Sequence, residues 1–313
     1  MKERIKYLIA RAITACIGGR LRDFLCDPAY FRLWERKGMH VTPVHYYQAV
    51  PDTREFEGRD WERPLALPGV DMNEPGQLRN LEEFSAVYKG EYSAFARTEA
   101  GAGGGFFVDN GAFERVDCET AYCFVRRHRP SAVVEVGGGN STLLLRMALL
   151  KNSEQGGTPA SHTVIEPFPG QRVRAATGSR LIEERLERVP EDIFFSLKDN
   201  DILFVDSSHV LKTGNDVHRL YLDILPRLAK GVLVHIHDIF FPFDYPRDLL
   251  MGLRRFFTEQ YLLQAFLTYN KAFKVEWGSA FLSHYHPGKV EAAFPTYKRG
   301  GHLPGSFWMR KVV

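Results

Sequence analysis

Cysteine is scarce in this chain: four residues in 313 (Cys16, Cys26, Cys118 and Cys123), with no C-x-x-C pair among them. That is too few for a disulfide framework, so reduced thiols and a cytoplasmic setting are the expectation. Long apolar runs are also missing, since none approaches the roughly 18–20 residues needed to span a bilayer. Charge of one sign is not in excess: the net charge is +3 and the pI is near 8.6. A nucleic-acid partner would call for Lys and Arg clustered on one face, so none is expected. There are no internal repeats. What remains is 44% hydrophobic and 25% charged, the make-up of an ordinary globular protein with a sizeable core.

The first stretch, KERIKYLIARAITACIGGRLRDFLC, places Ile5, Leu8, Ile9, Ala12, Ile13, Ile17, Leu21 and Leu25 at helical spacing, with Lys2, Arg4, Lys6, Arg11, Arg20 and Arg22 around them. Arg11 interrupts any signal-peptide core. A basic amphipathic helix of this kind can lie on an anionic membrane, giving peripheral contact. The other reading is packing on its own domain or on a partner subunit, as in a homo-oligomer. Residues 27–115 are rich in Pro, Gly and aromatics, with one clear helical pattern in NEPGQLRNLEEFSAVYKGEYSAFA. The expected organisation is a helical and loop cap over 1–115 and a second domain over 116–313.

From about 117 the pattern alternates. Helices are expected over 118–129, 141–151, 170–177 and 217–228. Strands are expected over 132–136, in HTVIEP ending at Glu166, and over 184–189, 202–205, 233–236, 280–284 and 306–311. Such alternation implies a doubly wound, mostly parallel, Rossmann-like α/β sheet covered on both faces. Ligands of these sheets sit outside the carboxyl ends of the strands, and the informative residues fall there. VVEVGGGNSTLLLRM holds Glu135 in the strand and Gly137, Gly138 and Gly139 in the turn that follows. Glu166 closes the second strand, where an acid can accept hydrogen bonds from a ribose diol. Asp206 closes LFVDSSH, and Asp238 closes VHIHD.

The dinucleotide fingerprint G-x-G-x-x-G does not quite fit, because Thr142 stands where its last glycine would be. S-adenosylmethionine (SAM) carries no pyrophosphate, so its loop need not offer a helix N-terminus with that third glycine. A nicotinamide-dependent oxidoreductase and a non-catalytic SAM-fold partner protein are the rival readings.

E-V-G-G-G-N-S-T, I-E-P, L-F-V-D-S-S-H and V-H-I-H-D, in that order, resemble the class I SAM-dependent methyltransferases, most closely the bacterial Methyltransferase 24 group. The resemblance covers about 115–313. It implies a seven-stranded sheet whose last strand, S-F-W-M-R-K, is antiparallel. It also implies that Glu135 and Gly137–Gly139 frame the methionine part of SAM, with Asn140 and Ser141 beside them. Glu166 would hold the ribose hydroxyls, and Asp206 would stand beside the sulfonium. His209, His237 and Asp238 are the candidate catalytic residues, with His209 the expected general base for O-methylation of a hydroxyl on a small metabolite or glycan. Asp206, Asp238 and His237 also form a candidate divalent-metal set. An imidazole in that set favours Mn²⁺, Fe²⁺ or Zn²⁺ over Mg²⁺.

Overall fold

The computed structural model describes residues 2–313. The chain divides into two compact units, 1–60 and 61–313. Helices Lys2–Ala15, Gly19–Leu25 and Phe31–Glu35, with the 3₁₀ turns Pro28–Tyr30 and Thr53–Phe56, make up the regular structure of the first, and none of its described residues is buried. The periodic pattern expected through Leu25 is broken at 16–18, and the second helix restarts at Gly19. Among the described residues no helix is long and apolar enough to cross a membrane.

The second unit is built on a seven-stranded sheet in the order β3-β2-β1-β4-β5-β7-β6. The strands are β1 (Ala132–Val136), β2 (Ser161–Ile165), β3 (Arg180–Ile182), β4 (Ile202–Val205), β5 (Leu233–Ile236), β6 (Phe273–Gly278) and β7 (Phe307–Lys311). β1 to β5 are parallel, and β7 inserts antiparallel between β5 and β6. Every residue of β4 and β5 is buried, which is why ILFV and LVHI read as continuous apolar runs. The Asp117–His128 and Asn140–Glu154 helices pack together, and Phe124 stacks on Trp308 of β7 at 4.2 Å between ring centroids. The order reverses at β1, so the crevice between the carboxyl ends of β1 and β4 is where a ligand belongs.

Three expectations need correcting. The strand expected over 184–189 is a short 3₁₀ turn, Leu186–Arg188, and the edge strand lies earlier at Arg180–Ile182. Arg219 donates to the carbonyls of Leu186 and Val189, so those groups bond a side chain instead of a neighbouring strand. The helix expected over 217–228 starts at Asp216–Arg219, widens into a π turn over Leu220–Ile224 and closes as a 3₁₀ turn containing Pro226. Proline lacks the N–H that would continue an α-helical ladder. The strand expected over 280–284 is the helix Ser279–Tyr285; the strand is FKVEWG just before it. A short run buried throughout, such as Ala280 to Ser283, carries no period that separates strand from helix.

Candidate active site

Two clefts open at the carboxyl ends of the strands. The first, about 410 Å³, is lined by Gly137, Glu166, Phe168, Leu186, Asp206 and Asn215 among others. Its floor is the glycine turn. Gly137 has φ +87°, and a Cβ there would lie 1.9 Å from the Asp206 carbonyl oxygen, so only glycine lets β1 turn beneath β4. A Cβ on Gly138 would meet Val164 at 2.7 Å, whereas one on Gly139 would meet nothing within 4 Å. Glu166 accepts from the N–H groups of Gly138 (3.1 Å) and Phe168 (2.7 Å), which fixes its carboxylate at the cleft wall. Thr142 Oγ1 accepts from the Gly139 N–H at 3.1 Å. The missing third glycine is thus a hydroxyl that satisfies a free N–H at the helix start.

Three residues expected at this cleft face elsewhere. Glu135 is fully buried, where Ser141 Oγ donates to it at 2.6 Å and His162 Nε2 lies 3.0 Å away. Glu135 and Ser141 therefore brace the turn from behind. Asn140 donates to Asn110 Oδ1 (3.0 Å) and accepts from Arg172 (2.8 Å), tying the turn to the segment that precedes the sheet.

The second cleft, about 490 Å³, is lined by Arg115, Asp117, His237, Asp238, Tyr297 and His302 among others. Between the two clefts stands a cluster of imidazoles and carboxylates. His209 Nδ1 lies 2.8 Å from Glu259 Oε2, and its Nε2 lies 3.1 Å from Asp206 Oδ1 and 3.5 Å from Asp238 Oδ2. His237 Nδ1 lies 3.6 Å from Asp238 Oδ1 and 3.8 Å from Asp206 Oδ1; its Nε2 is 3.5 Å from Asp117 Oδ2, an ion-pair distance rather than a hydrogen bond. The structure thus unites Asp206, His209, His237 and Asp238, four strand-end residues picked out in the sequence. It adds Asp117 and Glu259, which were not. Glu259 opens an apolar helix, Glu259–Leu267, and Asp117 opens the helix before β1. An acid in a first helical turn is ordinary, so neither carried a signal. His209 and Asp238 both hold left-handed backbone, φ +59° and +57°, a strain that collects at functional sites. His235 is a buried structural residue that bonds Ser306 Oγ at 2.9 Å and stacks on Phe204.

Burial works against charge on both histidines, yet their carboxylate neighbours prevail. His209 is held well above the ordinary imidazole range by hydrogen bonds to Asp206 and Glu259. His237 is pushed up to about 9, chiefly by Asp206 and Asp238. Burial likewise pushes Asp206 up, but His237 and His209 outweigh it and bring it down to about 2. The carboxylates around them thus favour the charged form of both imidazoles. An imidazolium has no free lone pair, so these neighbours weigh against the general-base role expected of His209 from the sequence.

The same arrangement does not suit a divalent ion. His209 Nε2 already stands between Asp206 and Asp238, and among the described residues no three His, Cys, Asp or Glu side chains are grouped to hold a metal.

Residues 134–239 match the family model described as a methyltransferase domain. The chain carries a methyltransferase domain. An uncharacterized protein of Archaeoglobus fulgidus is 25% identical over 174 residues, which is 53% of this chain and 77% of that protein. Among solved structures, the SAH-bound methyltransferase PaMTH1 of Podospora anserina shares 14% identity at TM-score 0.40, over 76% of this chain and 88% of that one. The O-methyltransferase of Bacillus cereus, in complex with SAH, shares 14% identity at TM-score 0.34, over 75% and 91%. TomG of Streptomyces achromogenes, an O-methyltransferase in complex with SAM, shares 13% at 0.34, over 82% and 100%. At these scores the likeness adds no argument of its own. The methyltransferase domain rests on the family match, whose segment starts within β1 and runs past the Asp206–His209 and His237–Asp238 pairs.

Proposed function

We propose that the protein transfers a methyl group from SAM to a hydroxyl of a small metabolite or glycan. The observation that carries this reading is a pair of clefts meeting at one charged cluster, with Asp206 in the wall of one and Asp238 in the wall of the other. The first cleft fits SAM in kind: its floor is glycine backbone that a Cβ would fill, and Glu166 stands at the wall to accept the ribose hydroxyls. When bound, SAM supplies a methyl group made electrophilic by its sulfonium.

The chain then has to aim an acceptor oxygen and take its proton. With His209 and His237 held as cations, the proton acceptor is the Asp238 carboxylate, whose side chain is 25% exposed at the second cleft. The two imidazoliums, whose rings are buried, stabilise negative charge as it develops on the acceptor oxygen, acting as fixed charges. Glu259 holds His209 in its charged form, and Asp117 faces the far side of His237. The test is SAH formation from SAM with a panel of hydroxylated acceptors, sugars and phenols included. Turnover with amine or thiol acceptors alone would refute the O-methyl assignment.

A further inference from the structure

The proposed methyl-transfer chemistry leaves the 2–25 segment unused, and its surface has a definite character. The Lys2–Ala15 helix buries none of its residues, and Ile5, Leu8, Ile9 and Ile13 are each more than half exposed. At 3.6 residues per turn these four fall on one stripe with Ala12. Arg4 and Arg11 flank the stripe on one side and Lys6 on the other, while Glu3, Tyr7 and Thr14 lie on the opposite face. Ile17, Leu21 and Phe24 are also exposed in the stretch that follows. Between residues 2 and 25 there are six basic side chains and two acidic ones, a local charge of +4 that exceeds the +3 of the whole chain. The rest of the protein is therefore slightly acidic, and the basicity is concentrated beside the exposed apolar stripe.

We infer that residues 2–25 dock on the surface of an anionic lipid bilayer. The stripe would sink to the acyl boundary, and the flanking Arg and Lys side chains would reach back to the headgroups. A second copy of the same helix is the poorer occupant, because pairing would bring two +4 segments together. Each basic side chain near a negatively charged leaflet adds to the attraction, which salt weakens.

The test is co-sedimentation of the full chain with vesicles of phosphatidylcholine containing roughly a third phosphatidylglycerol, against vesicles of phosphatidylcholine alone. The inference predicts binding at least about tenfold stronger to the anionic vesicles, falling as salt rises. Ile9→Glu with Ile13→Glu should abolish binding, and Arg4→Ala with Arg11→Ala should weaken it several-fold. Both variants should keep the wild-type thermal midpoint and SAH affinity, because these side chains are exposed. Equal affinity for both vesicles, no binding to either, or unchanged binding by the double Glu variant would overturn the inference. So would a concentration-dependent dimer, seen by light scattering, that the same variant dissolves in place of vesicle binding.

Discussion

The two clefts on either side of Asp206 are built in different ways. The first comes from the ends of adjacent parallel strands: Gly137 follows β1, Glu166 follows β2 and Asp206 follows β4, with the glycine turn between them. The second gathers distant parts of the chain. Asp117 accepts from the N–H groups of Gly305 and Ser306 at 2.8 and 2.9 Å, and Glu259 reaches His209 across fifty residues of sequence. One cleft is shaped by backbone that admits no side chain, the other by charges balanced against one another. Backbone shape should govern cofactor affinity, and the charge cluster should govern turnover.

The largest expected effect follows from that division. Asp238→Asn should lower kcat by roughly 10²–10⁴-fold, the usual contribution of a positioned proton acceptor, and leave SAH affinity within about threefold of wild type. A matched loss of SAH binding would mean that the clefts are not separate in function. Next comes Gly137→Ala, which forces a Cβ onto the Asp206 carbonyl at φ +87°. SAH affinity should fall by about 10- to 100-fold, corresponding to ~1–3 kcal/mol of strain, while Gly139→Ala changes little. Equal effects at the two glycines, measured by calorimetry, would contradict the geometry of the turn.

Glu135→Gln sharpens the same comparison from behind. It should cost ~1–3 kcal/mol of stability, seen as a lower thermal midpoint, because a buried acceptor of Ser141 and His162 is lost. SAH affinity should hold.

The smallest effect is that of pH on stability. His237 is raised from an ordinary 6.5 to about 9, so its contribution is complete below 6.5 and is lost as pH rises through about 9. Asp206 is lowered from 3.8 to about 2, so its contribution is present above 3.8 and fades as pH falls toward 2. The thermal midpoint should fall by roughly 2–4 °C across the alkaline window. In Asp206→Asn it should fall less, since the carboxylate that supports the His237 charge is gone.

The contrast between the clefts also explains how much was legible in the sequence. The parallel strands announced themselves as apolar runs, and the glycine turn as a break between one such run and a helix. Strand-end acids were easy to place because a strand end is a fixed address in this kind of sheet. Glu135 misled because a strand alternates its faces, and its side chain points into the packing behind the turn. Asp117 and Glu259 left no mark, since an acid in a first helical turn is common. The setting of His209 depends on Glu259, so reading the one without the other missed a carboxylate 2.8 Å away that favours its charged form.

The most direct test of the account is calorimetric titration of the purified protein with SAH, carried out in parallel on wild type and Asp238→Asn. The account predicts one site per chain with nearly equal affinity in both proteins, accompanied by loss of turnover only in the variant. Absence of any binding by the wild type would contradict it at its root.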